Sequence, residues 1–196
     1  MMITIEQART YYHNDAAHDF DHVLRVLANA MQIAAHETAD RDILRAAVLL
    51  HDIARADQER TGIDHAAEGA RRAKAILQHA PPAFTEAVCH AIAAHRFRVD
   101  NPPQTLEAKI LYDADKLDSM GAVGVARVFA YAGAHGTRLW ANHDEGDHTP
   151  LQEFEKKLVK LQAQLLTPTA RQMAQERHSY MVQFFARMGA EINGQA

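Results

Sequence analysis

The chain has 196 residues, 47% hydrophobic and 23% charged, with a formal net charge of −4. That length suits one domain, or a domain with a C-terminal extension, and supports a substantial core. The negative balance argues against broad nucleic-acid or anionic-membrane binding, the single Cys89 excludes an internal disulfide, and no run of about 18 apolar residues could span a bilayer. The stretch MMITIEQARTYYHND has no signal-like hydrophobic segment, so a cytoplasmic location is expected.

Residues 20–36 place Val23, Val26, Leu27, Ala30, Ile33 and Ala34 on one stripe, the 3/4 spacing of an amphipathic helix. Asp40 is placed to cap a second helix through Ile53, apolar nearly all round and therefore expected at the centre. Asp64 would cap a third through Gln78. Pro81 and Pro82 break the chain, then suit the first turn of a fourth helix, FTEAVCHAIAAH. Asn101-Pro102-Pro103 punctuates again before TLEAKILYDADKL. From Gly121, GAVGVARVFAYAGAHG is rich in small residues and reads as a tightly packed core helix. The phosphate-loop spacings GxGxxG and GxxxxGK[ST] are absent. Residues 136–149 read as a polar loop, in which Trp140 and HDEGDH form a lid or a surface excursion. Helices follow over about 151–166, with Leu151, Phe154, Leu158 and Leu161 as one stripe, and about 170–192, with Phe184, Phe185 and Met188 in the core. No segment alternates like a strand and none repeats, so the fold class is all-α, a globular helical bundle with crossing helices.

The apolar run ILRAAVLLHDIA ends in His51-Asp52, a pair that is costly to bury unless paired, hydrogen-bonded or bound to a metal. An imidazole and a carboxylate make a good first shell for a divalent transition metal. Neighbours on a helix point about 100° apart, so the other ligands must come from other helices. His22, in HDFDHVLRV, and Asp115, in ILYDADKLDSM, are the candidates. Asp118 shares a face with Asp115, whereas Asp113 points away, and both are expected to orient a ligand or meet a cation. His13, His36, His79, His135 and His178 sit in polar or terminal contexts and are expected at the surface.

These segments resemble the HD superfamily of metal-dependent phosphohydrolases, whose pattern is a lone His, then His-Asp, then a distant Asp. The resemblance covers roughly residues 15–135 and is closest to small single-domain bacterial members. It implies one HD-type domain over 1–196, with the helices of about 150–192 completing or flanking it. It also implies metal ligation by His22, His51, Asp52 and Asp115. His65 and His95 fall where many members carry extra histidines, which would bind a second metal or hydrogen-bond a substrate phosphate. His18 is either an outer-shell group or exposed, and His90 points away from His95.

The implied reaction is hydrolysis of a nucleotide or another small phosphate ester or anhydride by a metal-activated water. Mixed N/O ligation suits Mn²⁺, Mg²⁺, Co²⁺ or Ni²⁺ better than a structural Zn²⁺ cage, with Fe or Zn as further options. Lys116, Arg55, Arg96 and Arg98 are the candidate cations for the phosphoryl charge. Nucleotidase-like members carry a glutamate three residues after His-Asp, where this chain has Arg55. Asp57 or Glu59, from a loop, or Asp52 itself is then the candidate base. Two alternatives remain: a di-iron oxygenase of the same fold, with His65 and His95 ligating a second iron, and a metal- or nucleotide-binding regulatory module without turnover. A homodimer seam on the C-terminal helices is a further option.

Overall fold

Every regular element is helical in the computed structural model, which describes residues 3–12, 20–96, 101–141 and 148–195. Among those residues are eleven α-helices, one 3-10 turn and no strand. None of the helices is long and apolar enough to cross a membrane. By internal contacts the chain divides into two units, residues 1–115 and 116–196.

The first unit opens with α1 (Ile5–Arg9), started by a reciprocal cap between Thr4 and Gln7. α2 (Phe20–Ala34) buries the expected stripe, with Val23, Val26, Ala30 and Ile33 fully inside. Each of the Val and Ile side chains contributes about 1.5–3 kcal/mol. α3 (Arg41–Leu50) is capped by Asp40, whose side chain accepts from the amides of Asp42 and Ile43. It packs against both α2 and α6 (Pro82–Ala94), while α5 (His65–Ile76) packs on α6.

α3 stops three residues short of the expected Ile53. The cause is local. The Val48 carbonyl, which the Asp52 amide would need to extend the helix, is taken by the ring Nδ1 of His51 at 2.7 Å and by its amide at 3.5 Å. A second departure is α4 (Arg55–Thr61), over residues expected as loop. RADQERT has no apolar stripe, but most of its residues are good helix formers. Gly62 ends it at φ 74°, returning its N–H to the Gln58 carbonyl at 2.8 Å. Asp57 therefore lies on a helix and pairs with Arg60 and with Arg72 of α5, and Arg72 also holds Glu68. α7 (Leu106–Asp118) is tied to α2 through Asn29, whose side-chain amide donates to the Ala114 carbonyl at 3.2 Å.

In the second unit α8 (Gly121–Ala134) packs on α11 (Pro168–Ile192). One glycine serves this contact and another the turn before α8. Gly121 has φ 67° with Arg177 of α11 close against it, and a Cβ on Gly124 would clash with the Ser119 carbonyl. Yet α8 is not core all round, because Val123 and Tyr131 are exposed and burial follows one stripe, Gly121, Gly124, Val125 and Ala132. The expected 151–166 helix is broken into α9 (Pro150–Lys156), a 3-10 turn at Leu158–Lys160 and α10 (Leu161–Gln164). In a 3-10 turn residues three apart eclipse, which keeps Leu158 and Leu161 both buried. Phe154 stacks on buried Phe185 with ring centroids 4.3 Å apart, while Phe184 and Met188 are half-buried. Trp140, half-buried, lies over Gly189 of α11. The HDEGDH loop, at 143–148, falls outside the described residues except for His148, which pairs with Glu153.

Candidate metal centre

Four helix ends and one helix interior bring the titratable side chains of the first unit together. His22 lies in the first turn of α2 and is 2% exposed. His51 caps the C-terminus of α3, and Asp52 follows in the turn. His65 is the first residue of α5, His95 caps the C-terminus of α6, and Asp115 lies within α7. Gly69, one turn after His65, allows the approach. A Cβ there would meet the His51 carbonyl at 3.3 Å and Ile92 at 3.4 Å.

Asp52 is the centre of the cluster. Its Oδ2 is 3.8 Å from Nε2 of His22 and 3.8 Å from Nε2 of His51. Its Oδ1 is 3.3 Å from Nε2 of His65 and 3.5 Å from Nε2 of His95. Asp115 closes the first side, with Oδ1 3.5 Å from Nε2 of His22. His65 and His95 Nε2 are 3.3 Å apart.

The protons on three of the rings can be placed. Carbonyl oxygens only accept, so His51 donates from Nδ1 to Val48 and His95 donates from Nδ1 to Ile92, at 2.7 and 2.5 Å. His65 Nδ1 lies 2.7 Å from Gln58 Oε1. The Nε2 lone pairs then face Asp52 rather than donating to it. His51 Nε2 and Asp52 Oδ1 are buried without a hydrogen bond. Converging lone pairs around a buried carboxylate oxygen with no hydrogen bond are costly on their own, and the residues fit a divalent cation. Two groups of three have the spacing to hold an ion, His22/His51/Asp52 and Asp52/His65/His95.

Electrostatics agree. Burial pushes the His51 imidazole down to about 4, despite the attraction of Asp52. Burial also pushes His65 down to about 3, and Asp52 again opposes this. Both rings therefore stay neutral at neutral pH, as ligands must. Burial works against ionisation of Asp52, but attraction to the His51, His95 and His65 rings in their charged forms more than offsets it at low pH, and the carboxyl lies well below its usual range.

The other expected residues are placed as follows. Arg55 is half-buried on α4, with Nη1 3.2 Å from His65 Nδ1 and a buried Nε that has no hydrogen-bond partner. Arg96 pairs with Asp64, the N-cap of α5. Lys116 follows Asp115 on α7 and is buried. Asp113 is wholly buried, and Asp118 is held by Arg127 at 2.7 Å. His90 accepts from the Gln104 amide. His36, His79 and His135 are exposed and His178 is half-buried, whereas His13, His18 and Arg98 lie outside the described residues. Two residues were not anticipated. Gln58 touches His65, and Tyr12 donates from its hydroxyl to the Leu49 carbonyl at 3.1 Å. Gln58 carried no charge or motif to mark it, and Tyr12 reaches α3 from 37 residues away.

The HD domain model matches residues 19–120, more than half of the chain, and the chain belongs to the HD-domain family. HD domains bind divalent metals, and the buried His/Asp cluster is compatible with that. Over 201 residues the chain is 32% identical to the uncharacterized protein YpgQ of Bacillus subtilis, covering 96% of this chain and 94% of that one. The crystal structure of YpgQ in complex with ADP superposes with a TM-score of 0.76 at 30% identity, over 98% of this chain and 100% of that chain. An HD-superfamily hydrolase from Bacillus thuringiensis gives 0.77 at 32% identity, over 97% of each chain.

Proposed function

We propose that the chain is a metal-dependent phosphohydrolase that cleaves a nucleotide or another small phosphate ester or anhydride. The observation that carries this reading is the buried Asp52 carboxylate, faced by the Nε2 lone pairs of His51, His65 and His95 and with His22 close beside it. His22, His51, Asp52 and Asp115 would hold the ion. When bound, a divalent ion supplies a Lewis acid that acidifies water and polarises a phosphoryl oxygen. Asp52 Oδ1, with no hydrogen bond of its own, is the candidate to accept the proton of the attacking water. Arg55, with its unpartnered Nε, is the first candidate cation for the phosphoryl charge. Lys116, adjoining Asp115 in the chain, is the second. Arg96 keeps an N–H on Asp64 and would add substrate contact from there.

His65 and His95 face Asp52 Oδ1 and are candidate contacts to the substrate phosphate. A specific observation favours another use for them. With their protons on Nδ1, neither Nε2 has a hydrogen to give a phosphate oxygen, so the pair suits a second cation or a water proton better. A nucleotide as substrate draws support from the ADP complex of YpgQ.

The test is release of phosphate and pyrophosphate from nucleoside mono-, di- and triphosphates with added Mn²⁺, Mg²⁺, Co²⁺ or Ni²⁺. Wild type should turn over only with metal, and Asp52→Ala should lose more than about 100-fold, beyond the cost of an outer-shell partner. Turnover that survives chelation, or that Asp52→Ala retains, overturns the reading. Iron in the purified protein without hydrolysis would favour the oxygenase chemistry instead.

A further inference from the structure

Three histidines of the cluster occupy two kinds of helix end. His51 and His95 sit at C-termini, where carbonyls are left without intrahelical partners. Each solves its own protonation by donating from Nδ1 to the carbonyl three residues back. His65 sits at an N-terminus, where the spare backbone groups are N–H donors. That end of the helix has no spare backbone carbonyl to accept from its ring.

The acceptor comes from α4. Gln58 Oε1 lies 3.1 Å from the His65 amide and 2.7 Å from its Nδ1. A backbone N–H can only donate, so the atom facing it is the amide oxygen rather than the amide nitrogen. The same oxygen then obliges Nδ1 to carry the ring proton. Arg55 offers the opposite instruction. Its Nη1 stands 3.2 Å from the same Nδ1 and could donate only to a bare nitrogen. If Gln58 did not hold the proton on Nδ1, Arg55 would donate there, and the proton would move to Nε2, where Asp52 Oδ1 waits at 3.3 Å. His65 would then turn from an acceptor facing the site into a donor satisfied by Asp52.

We propose that Gln58 is a positioning residue that fixes the tautomer of His65, keeping its Nε2 lone pair turned into the Asp52/His65/His95 half of the cluster. Gln58 is itself placed by the end of α4, where the left-handed Gly62 returns its N–H to the Gln58 carbonyl. The functional weight of the assignment rests on the reading of the cluster as a metal centre.

The test uses the ¹⁵N-labelled full chain without metal, in wild-type, Gln58→Leu and Gln58→Glu forms, followed by two-bond ¹H–¹⁵N correlation of the ring nitrogens. Wild type and Gln58→Glu, which keeps an acceptor, should carry the His65 proton on Nδ1, and Gln58→Leu should carry it on Nε2. Titration with Co²⁺ or Mn²⁺ should show a 10–100-fold weaker affinity in Gln58→Leu, the cost typical of losing an outer-shell partner, with recovery in Gln58→Glu. A wild-type His65 protonated on Nε2 overturns the proposal, as does a Gln58→Leu protein with the wild-type tautomer. Should Gln58→Leu fail to fold, the wild-type and Gln58→Glu spectra decide. A wild type that shows Nδ1–H but binds neither ion overturns the metal-centre reading and leaves the tautomer assignment standing.

Discussion

The hydroxyl of Tyr12 meets the Leu49 carbonyl where α3 stops, two residues before His51. That carbonyl is one of the last four of the helix, and the Ile53 amide that would have reached it bonds Leu50 instead. Burial, with the Asp52 charge second, raises the Tyr12 phenol well above its ordinary value, so it remains a donor at any working pH. Tyr12→Phe removes the donor and keeps the ring on Phe20. Leaving the carbonyl unsatisfied should cost about 1–3 kcal/mol, read as a Tm lowered by roughly 2–4 °C per kcal/mol. A Phe variant that melts with wild type would mean that water satisfies Leu49.

At the level of elements, α4 and α5 are laced by Asp57, Arg72, Glu68 and Arg71. Hydrogen bonds from Arg71 and Arg72 pull the Glu68 carboxyl down to about 2 from an ordinary 4.5. A depressed folded-state value gives stability that is whole above the unfolded value and fades as pH falls through the folded one. Glu68→Gln should therefore melt below wild type at neutral pH, and the gap should close between pH 4.5 and 2. A gap that is constant with pH would assign the effect to packing.

The long elements were legible in the sequence because their caps and apolar stripes are local. Asp40, Asp64 and Pro82 start α3, α5 and α6 as the residues predict. The proposed ligand set was legible only through the family resemblance of the spaced histidines and aspartates, and the structure brings the side chains of His22, His51, Asp52 and Asp115 near one another. α4 was not, having no stripe to bury, and α1 was missed as well, although its Thr4-x-x-Gln7 cap is a local signal. Gln58 and Tyr12 escape sequence reading for a different reason, since their importance lies in the atom each happens to face.

For the molecule as a whole, a ligand that binds only the folded chain adds RT ln(1 + [L]/Kd), about 2.7 kcal/mol at a hundredfold excess over Kd. Mn²⁺ or Co²⁺ should raise the Tm of wild type and EDTA should reverse it, while Asp52→Ala should respond to neither. An equal shift in both proteins would place the ion on the general surface. The choice of probe matters here. The sole tryptophan, Trp140, rests on Gly189 of α11, whereas His22, His51, Asp52, His65, His95 and Asp115 all belong to residues 1–115. Indole emission thus reports the packing of Trp140 on α11. A melt followed by fluorescence reads that contact, and occupancy of the cluster is read directly in another colour, such as the visible absorption of bound Co²⁺.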